Sequence, residues 1–181
     1  MNNKWYVLTG GPSTGKTTLL AALENRGYLV VPEAARTIID ETLAHGIPVE
    51  ELRSDEKKFQ EDVARRKEAI EGSLDPDVIT FFDRGMQDTT AYLIANNLAI
   101  EPWVEALTTK ATYKKVFLLE PVAFVSDYAR TENEAFTKKI HTLLADAYSE
   151  HGIEVVAVPP LSVNDRVEFI LHRINQEGVK T

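Results

Sequence analysis

A chain of 181 residues carries 28 acidic against 20 basic side chains, a formal net charge of −8, and no cysteine. The length suits one domain, residues 1–181, that withdraws roughly 70% of its unfolded surface from water. Lack of cysteine excludes a disulfide scaffold, a zinc ribbon and thiol catalysis. The acidic balance disfavours nucleic acid and anionic membrane as partners, and the absence of a signal-peptide core or a ~20-residue apolar span makes a cytoplasmic location the expectation.

The first element is a strand at Trp5–Thr9. It runs directly into Gly10-Gly11-Pro12-Ser13-Thr14-Gly15-Lys16-Thr17-Thr18, which fills every position of the phosphate-loop pattern G-x-x-x-x-G-K-[ST]. Such a cradle needs backbone N–H groups aimed at an anion, and Gly10 and Gly15 permit the dihedrals that make one. Lys16 supplies a cation for the outer phosphates, and the Thr17 hydroxyl is a ligand for Mg²⁺. A helix at Gly15–Asn25, with Leu19, Leu20 and Leu23 on its inner face, sets the anion at a helix N-terminus.

Further along, the pattern predicts a strand at Tyr28–Val31 and a helix at Ala34–Ala44 ended by Gly46. Ser54 is placed to cap the next helix, with Phe59, Val63 and Ile70 on its inner stripe. In that helix Arg65-Arg66-Lys67 reads as a solvated face, paired with Glu61 and Asp62 one turn earlier. A strand at Val78–Phe82 follows, then helices at Gln87–Ala95 and Pro102–Thr109, a strand at Val116–Leu119, a helix at Glu134–Glu150, a strand at Glu154–Val158 and a last helix started by Ser162 or Asn164. Short apolar runs alternating with amphipathic stretches predict an α/β fold, a parallel sheet covered by helices on both faces. The four histidines are scattered without tight metal spacing, and Trp5 and Trp103 read as packing residues.

Ligands of such sheets collect at the carboxyl ends of the strands, and three of those ends carry charge. After the second strand, Glu33 and Arg36 stand three apart. Glu33 can accept a proton from an acceptor hydroxyl, bind a sugar, or serve only as a first-turn acid; Arg36 can bind an anion or pair with Glu33. After the third strand, Asp83 occupies the position expected of an acid that organises Mg²⁺ or the acceptor hydroxyl, while Arg84 either reaches the acceptor or braces Asp83. After the fourth strand, Arg130 is placed to meet the transferring phosphoryl group from a lid, with Glu132 and Glu134 as competing ion-pair partners and Thr131 with Glu134 matching a capping box. No N-K-x-D element is present, which disfavours guanine.

On the Gly-Gly-Pro-Ser-Thr-Gly-Lys-Thr opening, Pro-Glu-Ala-Ala-Arg at 32–36, Asp83-Arg84-Gly85 and the Lys115-Val116-Phe117-Leu118-Leu119 run, the chain resembles the small P-loop AAA-type ATPase/kinase family related to the ribosylnicotinamide kinase domain of NadR. That resemblance implies the P-loop nucleoside triphosphate hydrolase fold with a five-stranded sheet of order 2-3-1-4-5. It also implies ATP and Mg²⁺ at Lys16 and Thr17, and an acceptor pocket lined by Glu33, Arg36 and Asp83. Where the ribosylnicotinamide kinases end their third strand in Asp-x-Asp, this chain has Asp-Arg-Gly, closer to thymidylate-kinase-like enzymes; a basic residue there suggests an acceptor with a phosphate or other negative group. The resulting expectation is Mg²⁺-dependent transfer of the γ-phosphoryl group of ATP to a small nucleoside-like or nucleotide-like metabolite, with Lys16, Asp83, Glu33 and Arg130 catalytic. The alternative is a nucleotide-binding regulatory switch or ATPase that acts with a protein partner and needs no acceptor pocket.

Overall fold

A computed structural model describes residues 3–12, 14–121 and 131–176, without the side chains of 131–134. Ser13 and Arg130 therefore lie outside the described residues, as do the side chains of the capping box expected at Thr131 and Glu134. In chain order the elements are β1 (Trp5–Thr9), α1 (Lys16–Glu24), β2 (Leu29–Val31), α2 (Ala34–Ala44), α3 (Val49–Leu52), α4 (Glu56–Ser73), β3 (Thr80–Asp83), α5 (Met86–Ala95), α6 (Pro102–Lys110), β4 (Lys115–Leu119), α7 (Thr131–Ser149), β5 (Val155–Val158) and α8 (Val163–Asn175). Every strand pair is parallel, and the order is β2-β3-β1-β4-β5.

Alternation along β1 divides the core into two layers. Tyr6 and Leu8 face α1 and α8, packing with Leu19, Leu20, Leu23, Val167 and Ile170. Trp5 and Val7 face the opposite side, with Phe82, Met86, Tyr113 and Tyr148. Parallel registry then brings the strand ends together: Leu8 lies beside Asp83, Thr9 beside Leu118, and Leu119 beside Val158. Residues far apart in sequence thus share one rim of the sheet.

Several local expectations are corrected. The short helix α3, absent from the sequence reading, uses the Ser54 hydroxyl for its own last turn, where it donates to Glu51 O at 2.7 Å. Asp55 caps α4 instead, its carboxylate accepting the Lys58 N–H at 2.9 Å. The Arg65-Arg66-Lys67 run is not one solvated face. Arg65 stacks over Trp103 at 4.2 Å, Arg66 crosses to Glu41 of α2 at 2.6 Å, and Lys67 is buried. Helix α7 begins at Thr131, three residues earlier than expected, and β3 extends to include Asp83. Among the described residues no helix is long and apolar enough to cross a membrane.

Candidate nucleotide and acceptor site

The loop after β1 is built around two glycines that a side chain would disturb. Gly10 has φ +154°, and a Cβ on it would come within 3.0 Å of Leu119 O and 3.2 Å of Thr14 Oγ1. Gly15 has φ +79° and starts α1 in the left-handed region. Thr14, itself buried, donates its hydroxyl to Gly11 O at 3.1 Å and closes the loop on itself. The cavity in front of it, about 280 Å³, is lined by Gly11, Pro12, Thr14, Gly15, Lys16, Thr17, Thr18 and Arg84. A loop so shaped at a helix N-terminus fits a polyphosphate, and Thr17 lies exposed in that cavity.

Lys16 is buried and forms an ion pair with Asp83 Oδ1 at the end of β3. Apart from that ammonium, no donor among the described residues reaches this buried oxygen. Burial raises the Asp83 carboxyl above the usual carboxylate range, and the charge of Lys16 offsets only part of the rise. An acid with one poorly satisfied oxygen beside the loop lysine fits a cation-binding duty once phosphate claims Lys16.

Arg84 does not brace Asp83 through an ion pair. It adopts φ 67°, in the left-handed region, and turns its guanidinium across the sheet rim. Nε donates to Glu33 Oε1 at 2.9 Å and Nη1 to Asp88 Oδ1 at 3.1 Å, with the ring of Tyr92 5.1 Å away. Glu33 therefore pairs with Arg84 rather than with Arg36, whose partner is Asp40 one turn along α2 at 3.2 Å. Glu33, Arg36, Arg84 and Asp88 line a second cavity of about 250 Å³, together with Phe59, Tyr92 and Lys67. Asp83, expected to line the acceptor pocket, lines neither this cavity nor the one in front of the loop; it stands behind Lys16, near enough to Glu33 to feel its charge.

Asp88 and Lys67 are the residues that sequence reasoning missed here. Asp88, 1% exposed, accepts from Thr9 Oγ1 at 2.6 Å, Gly85 N at 3.1 Å, Tyr148 OH at 2.5 Å and Arg84 Nη1. Burial alone would raise its carboxyl, but Arg84, Lys67 and the two hydroxyl donors outweigh that and hold it below the ordinary range. Lys67 donates to Gly85 O at 2.5 Å and to Thr89 Oγ1 at 3.3 Å; burial pushes its ammonium down, with Asp88 acting against the fall. A signal was present for each. Lys67 falls on the same stripe as Phe59, Val63 and Ile70, and Asp88 is the first-turn acid three residues after Gly85.

The Arg84-Gly85 turn is held so closely that Gly85 admits no side chain: a Cβ would lie 2.6 Å from Tyr148 OH and 2.8 Å from the Tyr113 ring. Gly85→Ala is expected to lower stability by about 2–3 kcal/mol through overpacking, read as a drop in urea midpoint at unchanged slope.

A parallel 2-3-1-4-5 sheet with a glycine loop after its central strand defines a P-loop fold. A family model described as "AAA domain" matches residues 5–166, and the chain belongs to that family. Thymidylate kinase from Candida albicans is similar in structure, with TM-score 0.67 at 12% identity over 98% of this chain and 93% of that one. Deoxyadenosine kinase from M. mycoides, solved with dCMP and dCDP, gives 0.63 at 14% identity over 95% and 98%. NadR in complex with NAD and AMP-PNP gives 0.69 at 20% identity over 99% of this chain, which spans about half of NadR, 51%. At such identities the likeness establishes the fold. No curated protein sequence matches the chain.

Proposed function

We propose that this protein is a small-molecule kinase that moves the γ-phosphoryl group of ATP to a hydroxyl of a nucleoside-like or nucleotide-like acceptor. The observation that carries the reading is Arg84: it lines both the phosphate-loop cavity and the cavity beside Glu33, so the two are adjoining compartments of one site. A switch that only senses nucleotide has no use for the second compartment. The fold it shares with nucleoside and nucleotide kinases supports the same reading.

In this mechanism the loop amides and Lys16 hold the phosphates, and Lys16 leaves Asp83 to do so. Thr17 and Asp83 would hold Mg²⁺, which when bound neutralises charge on the phosphates. Glu33, fixed by Arg84, accepts the hydrogen bond of the acceptor hydroxyl and aligns it for attack. Arg84 itself stands between donor and acceptor, placed to meet negative charge on either. Phe59 and Tyr92 offer apolar ring surface to the acceptor's body, and Arg36 at the cavity edge offers a cation to an acceptor that carries its own phosphate. Arg130 is assigned by this proposal to the phosphoryl group from the segment that precedes α7.

The test is direct. Wild-type protein and Lys16→Ala are incubated with Mg²⁺-ATP and a panel of nucleosides and nucleoside monophosphates, and products are read by mass spectrometry. A phosphorylated product formed by the wild type and absent with Lys16→Ala is the expected outcome. Slow ADP release with no phosphorylated panel member would move the assignment to the ATPase or switch.

A further inference from the structure

Arg166 lines neither cavity, yet it is 3% exposed and each of its three guanidinium nitrogens donates to the backbone of a strand-end loop. Nε donates to Pro159 O after β5 at 2.9 Å, Nη2 to Glu120 O after β4 at 3.2 Å, and Nη1 to Thr14 O in the phosphate loop at 2.7 Å. All three partners are neutral carbonyls, and no carboxylate among the described residues forms an ion pair with it. Its place in the first turn of α8, with its N–H bonded to Ser162 O at 2.9 Å, adds the positive end of that helix nearby. The charge of Glu120 reaches it only from a distance, and a guanidinium enclosed on these terms is a costly arrangement for a fold to keep.

The bond to Thr14 gives the arrangement a purpose. Every described peptide is trans, so the C=O and N–H of one peptide group point in opposite directions. Drawing Thr14 O toward Arg166 turns the N–H of Gly15 away from it, and no acceptor among the described residues takes that N–H. We propose that Arg166 is a positioning residue for the phosphate loop: it locks and polarises the Thr14–Gly15 peptide so that the Gly15 N–H is presented to a bound polyphosphate, whose charge in turn compensates the guanidinium. The ligand chemistry is a di- or triphosphate chain, and the inference rests on reading the loop as a phosphate cradle.

Sodium tripolyphosphate is the probe, since it has no base or sugar to bind elsewhere. Calorimetry with wild type, Arg166→Met and Arg166→Lys is paired with amide NMR of ¹⁵N-labelled protein. Arg166→Met is expected to bind tripolyphosphate about tenfold more weakly or worse, the scale of one charge-assisted hydrogen bond, and Arg166→Lys to regain part of the loss. In the wild type the Gly15 amide proton moves strongly downfield on addition of the probe. Should Arg166→Met not fold, the lysine variant and the wild-type amide titration decide the matter. A methionine variant that melts lower but binds tripolyphosphate as the wild type does, or a Gly15 amide that stays silent while the wild type binds, overturns this inference and leaves the kinase reading standing. A wild type that binds no tripolyphosphate overturns both.

Discussion

Asp88→Ala is expected to lose about 3–5 kcal/mol of stability, the cost of removing one partner from a buried ion cluster, and to melt roughly 10 °C lower. The expectation follows from what is left behind. Arg84 and Lys67 lose their fully buried counter-charge, and Thr9, Tyr148 and the Gly85 N–H lose an acceptor in a place water reaches poorly. The damage is greater than a pair count suggests, because Asp88 holds both ends of the strained turn. It takes the guanidinium of Arg84 and the N–H of the next residue, and without it φ 67° at Arg84 has less to maintain it. The pH dependence provides a second reading. The folded Asp88 carboxyl lies below its ordinary range, so its contribution is fully present above the unfolded value of about 3.9 and is lost as pH falls through the folded one. Wild type should therefore lose stability in acid more steeply than Asp88→Ala, measured as urea midpoints from pH 7 downward. Equal slopes, or a variant as stable as wild type at pH 7, would refute the role given to Asp88.

On the proposed mechanism, Asp83→Asn separates stability from activity. Burial lifts the Asp83 carboxyl above its ordinary range despite Lys16, so the ionised group is a net burden on the fold at neutral pH. The sign is the reverse of that for Asp88: the contribution of a raised carboxyl is present below the unfolded value and lost as pH rises through the folded one. Asparagine keeps the shape and removes the buried negative charge but leaves the buried Lys16 ammonium without its counter-ion, and with the two effects opposed the variant is expected to melt within a few degrees of the wild type at pH 7. Release of Lys16 from its ion pair should tighten ATP binding in the presence of EDTA. Mg²⁺-dependent phosphoryl transfer should fall by about 10²-fold or more, since the variant lacks an anionic metal ligand. Calorimetry, a thermal melt and a product assay on one preparation check all three. Normal turnover by Asp83→Asn would remove Asp83 from the metal site and leave it a structural duty.

The phosphate loop and the order of strands and helices were legible because their signals are local. A strand run into G-x-x-x-x-G-K-T needs only consecutive residues to be recognised, and Ala34–Ala44 is the helix that its periodicity and Gly46 predicted. The rule that ligands gather where parallel strands end singles out Asp83 and Glu33, and the fold sets both at that rim, Asp83 closing β3 and Glu33 between β2 and α2. Lys67 sits in a basic run whose charge masks its position, although its stripe is the buried one. Asp88 looks in sequence like any first-turn acid, and nothing local sets it apart.

The partners, by contrast, belong to the tertiary structure. Glu33 meets Arg84 across 51 residues, and Arg166 reaches Thr14 across 152. Periodicity assigns a side chain to a face of its own helix or strand, but which charge stands opposite depends on strand order and register, and those are settled by the packing of the whole sheet. Hence the linear chain specified by itself that a phosphate-type loop opens the fold and that acids stand at the rim. Only the folded sheet decided that Arg84 lines two cavities, that Asp88 takes its guanidinium and that Arg166 bonds to Thr14, because buried charges take partners from whatever elements the topology sets beside them.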